Sequence, residues 1–334
     1  MRIFDLGGPG AAQDPIANLF VASMNEDVVY EHAPMARVTF PASSSAAGSN
    51  PEWRVSTDEN GLRRNGADST IVPELRGMCL GDSIMFGVGL NDEETIPARL
   101  GVEVSRKLGR RFECLNLGVS NYTTVQEVDF FRHKESLLTV PDIVVLEIFT
   151  NDFKEGPGRI RIRQGCVDLI AAEAGTWRDG FWSSLHVADL AASTGPALTS
   201  LLRRSELLSE SNAKPLRAEQ IAAVYEALDE LRALLSARNV PLLVVFFPRD
   251  WQLGASDRVA ATERQRLIRQ YCDAHGLPYL DLLDHFHGQP MSAYFRPGDD
   301  AHPHRDAARR IAEIIAEPMV EILRRRNGGY PPTP

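Results

Sequence analysis

Short, almost wholly apolar runs alternate along this chain with longer segments whose apolar residues recur at every third or fourth position. The short runs predict five β-strands, at residues 76–80, 112–117, 143–149, 242–247 and 279–283. The longer segments predict α-helices at residues 93–108, 124–137, 218–238, 258–274 and 305–325. Strands that alternate with helices in this way form a parallel sheet with helices on both faces. The pattern therefore predicts a three-layer α/β/α domain with a five-stranded parallel sheet.

The rest of the chain departs from this alternation. Residues 1–70 hold short apolar pieces between turn-forming residues, which predicts a small, β-rich N-terminal extension packed on the main domain. The main domain is expected to run over residues 71–326. Within it, residues 155–214 are a weakly patterned insertion, which we interpret as a lid or wall beside the functional site. Residues 327–334 are expected to form a frayed tail.

Charge and composition narrow the class of partner. The formal net charge of -9 gives an acidic surface, which argues against nucleic acid and anionic lipid as partners. The apolar runs are too short to span a bilayer. The chain begins without a signal-peptide pattern, and its 4 cysteines are scattered without close pairing. We therefore expect buried free thiols and a cytoplasmic location.

Polar residues follow the predicted strands where each strand ends. Ser83 follows the first strand, Gly118 the second and Asn151 the third, while residues 299–304 precede the last helix. The carboxyl ends of parallel strands meet at one edge of the sheet, which is where ligands bind in such folds. These residues are therefore expected to lie close together.

The residue types at this edge fit the chemistry of acyl transfer. Ser83 at a strand-to-helix turn can act as nucleophile, His302 as its general base, and Asp299 as the group that orients the imidazole. The backbone N–H groups of Ser83 and Gly118 and the side-chain amide of Asn151 can donate to an oxyanion. Asp300 competes with Asp299 for the orienting role.

Four short blocks in this order resemble the SGNH, or GDSL, hydrolases. The blocks read Gly81-Asp82-Ser83-Ile84, Asn116-Leu117-Gly118-Val119, Asn151-Asp152 and Asp299 through His302. The resemblance covers residues 74–325. It implies a flavodoxin-like fold and a serine esterase that needs no cofactor. It also implies Ser83, Asp299 and His302 as the catalytic triad, with Gly118 and Asn151 completing the oxyanion hole.

One departure from the family pattern bears on the substrate. Phe149 stands where the third block of the family usually has glycine, and a ring there would narrow the acyl pocket. We therefore expect a short acyl group, such as acetyl, on a small-molecule or carbohydrate ester. Acyl transfer to a carbohydrate or another polar alcohol is the alternative reaction. A catalytically inactive binding or scaffold relative is the alternative of another class.

Two other interpretations of the motifs are weaker. His302 and His304 could form a metal pair with a neighbouring aspartate, but the remaining histidines show no matching spacing. Gly87-Val88-Gly89 follows a predicted strand, yet it lacks the third glycine of a dinucleotide-binding loop. We therefore expect neither a metal nor a nucleotide.

Overall fold

The structure is a computed structural model. It describes residues 15–23, 25, 28, 30–41, 52–66, 72–153, 160–163, 166–169, 216–253, 262–296 and 302–326. Asp299 and Asp300 lie outside the described residues, as do most of the predicted insertion at 155–214 and the tail at 327–334. Within the insertion only a short antiparallel hairpin is described.

The N-terminal part consists of one short helix and two antiparallel strand pairs. Its elements in chain order are α1 (Pro15–Leu19), β1 (Phe20–Ala22), β2 (Tyr30–His32), β3 (Arg37–Pro41) and β4 (Glu52–Ser56). Strand β1 pairs with β2, and β3 pairs with β4. The β-rich character expected for this region is therefore present, while the division at residue 70 stays a prediction.

The main sheet has five parallel strands. They are β5 (Leu75–Gly81), β6 (Phe112–Gly118), β7 (Ile143–Ile148), β10 (Leu242–Phe246) and β11 (Tyr279–Asp281). Strands β8 (Ile160–Arg163) and β9 (Cys166–Leu169) form the separate hairpin. The strand order is β11-β10-β7-β5-β6. If the five strands are numbered 1 to 5 in chain order and read from the β6 edge, the order is 2-1-3-4-5, as in flavodoxin-like folds. The switch point of such folds lies between the first and third strands. Here that point lies between β5 and β7.

Helices cover both faces of this sheet. They are α2 (Ser83–Phe86), α3 (Ile96–Leu108), α4 (Thr124–Lys134), α5 (Ala218–Ser236), α6 (Asp250–Leu253), α7 (Glu263–His275), α8 (Leu283–Phe286) and α9 (Arg305–Arg326). Apolar residues of α4, α5 and α7 share one core cluster, and those of α3 and α9 share another. The three-layer α/β/α fold predicted from the sequence is confirmed. None of the described helices is long and apolar enough to cross a membrane.

Two predicted boundaries moved for local reasons. The helix expected from residue 93 begins at Ile96, because the side chain of Thr95 accepts the N–H of Ala98 and caps the helix there. The strand expected to reach residue 283 ends at Asp281, whose Oδ1 accepts the N–H of Leu283 at 3.0 Å and so starts α8. In the first case a helix cap decides the boundary, and in the second the side chain of Asp281 closes a turn at the end of the strand.

The N-terminal part covers the exposed edge of the main sheet. Strand β6 is an edge strand, and Arg63 forms an isolated antiparallel bridge with Asn116 on it. The side chain of Asn65 also donates to the carbonyl oxygen of Cys114 at 2.6 Å. An uncovered edge strand exposes backbone donors and acceptors to pairing with other chains. The N-terminal part satisfies some of these groups.

Helix α2 packs against the end of β6 without room for a side chain between them. A Cβ atom at Gly118 would lie 2.3 Å from the backbone nitrogen of Phe86 and 2.7 Å from the carbonyl carbon of Met85. Such distances are far inside van der Waals contact, and backbone atoms cannot rotate away from them. Glycine at this position therefore allows α2 to lie directly on the strand.

We predict that Gly118→Ala lowers the free energy of unfolding by about 2 kcal/mol or more, because α2 must move to admit the methyl group. The matched control is Gly101→Ala in α3, where the nearest atom to a new Cβ is 3.6 Å away. This control should leave stability unchanged or raise it by up to about 1 kcal/mol, since alanine favours helix. Urea unfolding followed by circular dichroism measures both. Equal effects of the two substitutions would contradict the packing argument.

Candidate active site

Ser83 occupies the turn at which β5 passes into α2. Asp82 caps this four-residue helix, since its Oδ1 accepts the N–H of Ile84 at 2.9 Å. The Ser83 side chain is half-buried, and its Oγ lies 2.9 Å from Nε2 of His302. This contact joins residues 219 positions apart in the sequence. The nucleophile and base predicted from the sequence therefore lie within hydrogen-bonding distance.

His302 lies just before α9, at the carboxyl edge of the sheet. Its carbonyl oxygen accepts the N–H of Arg296 at 3.3 Å, which ties the loop to the residues before it. The choice between Asp299 and Asp300 as the group that orients the imidazole stays a prediction, because neither residue is described.

His304 does not join His302 in the structure. Its Nδ1 accepts the N–H of Ala307 in the first turn of α9, and its Nε2 lies 3.0 Å from the carbonyl oxygen of Ser292. Both ring nitrogens are therefore used in fixing the start of the helix. Among the described residues, no group of three or more His, Cys, Asp or Glu is arranged to hold a metal ion.

Asn151 follows β7 and reaches the nucleophile turn. Its side-chain Nδ2 donates to Oδ2 of Asp82 at 2.6 Å. An amide nitrogen carries two hydrogens, so this contact uses one and leaves the other for a further acceptor. The predicted donor is thus held beside Ser83 by the carboxylate next to it in the sequence.

Gly118, the second predicted oxyanion donor, lies directly against α2. Its backbone N–H donates to Oδ1 of Asn116 at 3.0 Å and is buried under α2. The amide Nδ2 of the same asparagine donates to the carbonyl oxygen of Met85 at 3.1 Å. Gly118 is therefore required for close packing and does not offer a free donor to an oxyanion.

Another backbone N–H that could serve as a donor, and that the sequence did not suggest, lies three residues further on. Asn121 is exposed and has a left-handed backbone with φ of 71°, in a turn closed by a hydrogen bond from Tyr122 N–H to the carbonyl oxygen of Val119. The described part of the chain offers no acceptor to its backbone N–H. Asparagine tolerates this conformation better than most residues, which is the one sequence signal that could have suggested it.

A group of buried carboxyl residues lies beneath the nucleophile turn: Asp82, Glu127, Glu147 and Asp152. Burial raises the pKa of Glu147 well above its usual range, and the nearby charge of Asp82 raises it further. Burial also raises the pKa values of Glu127 and Asp152, each with the charge of a neighbouring aspartate as the second cause. These three side chains favour the protonated form.

Glu147 supports the nucleophile turn from below. Its Oε2 accepts the backbone N–H groups of Met85 at 2.9 Å and Asp82 at 3.2 Å. A Cβ atom at Gly81 would lie 2.2 Å from that same oxygen. The glycine before the Asp-Ser pair is thus needed because the Glu147 carboxyl group fills the space beside it.

Phe149 belongs to the core more than to an open pocket. Its side chain is only 4% exposed, and it packs in the same cluster as residues of α3 and α9. The guanidinium group of Arg249 lies over the ring, 5.2 Å from its centroid. The predicted role of Phe149 in the acyl pocket stays a prediction.

A Ser–His pair at the switch point of a parallel α/β sheet is an arrangement typical of serine hydrolases. The chain belongs to the GDSL-like lipase/acylhydrolase family, whose model matches residues 79–310. The family resemblance seen in the sequence is therefore confirmed.

One curated relative and two solved structures are similar to this chain. An acetylxylan esterase of Xylanibacter ruminicola is 23% identical over 251 residues, which cover 72% of this chain and 42% of that protein. The lipase/acylhydrolase from Enterococcus faecalis is 14% identical, with a TM-score of 0.45 over 74% of this chain and 96% of its own. The acetyl xylan esterase AlAXEase is also 14% identical, with a TM-score of 0.44 over 73% and 99%. This chain thus spans less than half the length of its curated relative.

The raised pKa values predict a dependence of stability on pH. The unfolded chain loses these protons near the ordinary carboxyl pKa of about 4.3, while the folded protein keeps them to higher pH. The free energy of unfolding should therefore fall as the pH rises from that value towards the folded pKa. Glu127→Gln keeps a neutral side chain, so its stability relative to wild type should increase from pH 5 to pH 8. Urea unfolding at both pH values measures this.

The exposed residue Glu226 on α5 supplies the control for this experiment. Glu226→Gln should change the free energy of unfolding equally at both pH values. Parallel pH curves for wild type and Glu127→Gln would contradict the electrostatic argument.

Proposed function

We propose that this protein is a serine esterase that hydrolyses short acyl esters through an acyl-enzyme intermediate on Ser83. The observation that carries the proposal is the 2.9 Å distance between Ser83 Oγ and His302 Nε2 at the carboxyl edge of the sheet. Membership in the lipase/acylhydrolase family supports the reaction class.

The reaction has two half-reactions. His302 Nε2 takes the proton of Ser83 Oγ as that oxygen bonds to the acyl carbon, and the carbonyl oxygen becomes an oxyanion. The tetrahedral intermediate collapses, the bond to the alcohol oxygen breaks, and His302 gives its proton to the departing alcohol. Water then attacks the acyl-serine in the same way, which releases the acid and restores Ser83. In this proposal Asp299 orients the imidazole.

Three donors are proposed for the oxyanion. They are the backbone N–H of Ser83, the second hydrogen of the Asn151 amide nitrogen and, in place of Gly118, the backbone N–H of Asn121. No described group accepts from the N–H of Ser83, and Asp82 holds the Asn151 amide next to it. Donors fixed before the reaction stabilise the developing charge without reorganisation.

A small acyl group on a polar alcohol is the proposed substrate. The relative from X. ruminicola is an acetylxylan esterase, which supports an acetyl group on a sugar. The insertion at residues 155–214 mixes charged and aromatic residues in its sequence, which suits a hydroxylated substrate more than a lipid. If a sugar hydroxyl takes the place of water, the same acyl-serine gives acyl transfer.

We predict that Ser83→Ala lowers the hydrolysis of an activated aryl acetate at least about a thousandfold, because no nucleophile remains. A fluorophosphonate probe should label the wild-type protein and not this variant, while circular dichroism shows both folded. Unchanged turnover in Ser83→Ala would overturn the assignment of the nucleophile. Absence of labelling in the wild type would favour an inactive binding relative.

The second prediction concerns acyl chain length. The kcat/KM for aryl esters should be highest from acetyl to butyryl and fall steeply beyond, whereas a long pocket would add about 0.8 kcal/mol of binding for each methylene. Phe149→Ala should extend the range to longer chains while acetyl turnover stays within about tenfold.

The matched control is Phe112→Ala, which truncates a ring of the same core cluster at the amino end of β6, away from the site. Each truncation should cost stability, so rates are compared per folded molecule. A maximum at octanoyl in the wild type, or the same broadening in both variants, would contradict the role of Phe149.

A further inference from the structure

Arg63 of the N-terminal part directs three of its five guanidinium N–H groups to the end of α2 and the turn that follows it. Its side chain is fully buried, and its Nε pairs with Asp92 at 3.1 Å. Its four remaining N–H groups donate to carbonyl oxygens of Phe86, Gly87, Leu90 and Arg54 at 2.6 to 3.2 Å. A guanidinium group has five N–H donors, so every one has an acceptor.

These acceptors fix the end of the helix that begins with Ser83. The last carbonyl groups of a helix lack partners within the helix and need donors from elsewhere. Arg63 supplies them to Phe86 and Gly87, and its guanidinium carbon also lies 4.7 Å from the centroid of the Phe86 ring. Asp92 is held in turn by Ser56, whose N–H and hydroxyl donate to it.

A second contact from the N-terminal part reaches the turn that carries Asn121. The hydroxyl group of Tyr30 donates to the carbonyl oxygen of Ser120 at 2.7 Å. The backbone carbonyl oxygen of Tyr30 accepts a hydrogen bond from the hydroxyl group of Tyr122. The rings of these two tyrosines pack edge to face, with their centroids 5.3 Å apart. Tyr30 therefore holds two residues of the turn at 119–122, Ser120 and Tyr122.

We propose that the N-terminal part positions the active site, with Arg63 holding the nucleophile helix and Tyr30 holding the turn of Asn121. The inference rests on the proposed function, since it assigns these two residues to the placement of the proposed nucleophile and oxyanion donor. Both act through other residues and are positioning residues. A displacement of about 1 Å in a reacting group can lower a rate a hundredfold, so the contacts act on turnover and not only on stability.

The first test is Arg63→Lys. Lysine keeps the positive charge, but its single ammonium group cannot reach all the acceptors that surround the planar guanidinium group of arginine. The rate of fluorophosphonate labelling and the kcat for an aryl acetate should fall about tenfold or more, with KM within about threefold, because α2 shifts and binding is spared. Arg76→Lys is the control, since Arg76 pairs with Glu113 at 3.0 Å at the start of β5. It should keep wild-type rates.

The second test is Tyr30→Phe, which removes one hydroxyl group and keeps the ring. Its kcat should fall about threefold to tenfold with KM unchanged, as expected when an oxyanion donor loses its fixed position. Tyr225→Phe removes an equivalent bond, from a tyrosine hydroxyl to the carbonyl oxygen of Leu267 at 3.1 Å, which joins α5 to α7. This control should leave kcat unchanged. Because Tyr30→Phe removes a single hydroxyl group, it also tests the inference if Arg63→Lys fails to fold.

The outcomes separate this inference from the proposed function. All rates are taken per folded molecule, at a temperature where circular dichroism shows each variant native. Wild-type labelling and turnover in both Arg63→Lys and Tyr30→Phe would overturn the inference alone, since the contacts would then only stabilise the fold. A wild-type protein that neither turns over esters nor reacts with the probe would overturn the proposed function and the inference together.

Discussion

Asp82 accepts hydrogen bonds from two elements that meet only at the switch point of the sheet. Its Oδ1 caps α2 through the N–H of Ile84, and its Oδ2 holds the amide of Asn151 after β7. Helix α3 packs on one face of the sheet and α4 packs on the other. Asp82 is therefore the side chain that joins the helix of Ser83 directly to the amide of Asn151.

The burial of this site bears on the protonation of Glu147, the carboxyl residue beside Asp82. Two N–H groups at the start of α2 need an acceptor below them, and Glu147 provides it with one oxygen. A second full charge beside Asp82 would be costly in a buried site. A protonated carboxyl group avoids this cost, because its carbonyl oxygen still accepts hydrogen bonds. The raised pKa of Glu147 is thus compatible with its structural role, at the expense of stability at high pH.

The sequence was sufficient for the fold and for the Ser83–His302 pair, because strands buried on both faces appear as apolar runs and their carboxyl ends must meet. The sequence was not sufficient to identify the N–H groups around this pair that are proposed to bind the oxyanion. A glycine after a strand fits either an exposed N–H or close packing, and the 2.3 Å approach of Phe86 decides for packing at Gly118. The left-handed backbone of Asn121 depends on tertiary contacts that no short motif contains.

Because α2 is short, its conformation depends on tertiary contacts. A helix of four residues cannot hold its own conformation in water, since nucleation costs more than its few hydrogen bonds return. Its position must come from contacts outside the helix, among them Asp82 at its start and the guanidinium group of Arg63 at its end. One end is part of the family motif and the other belongs to a region outside the matched residues 79–310. The helix that carries the proposed nucleophile is therefore held by contacts from both parts of the chain.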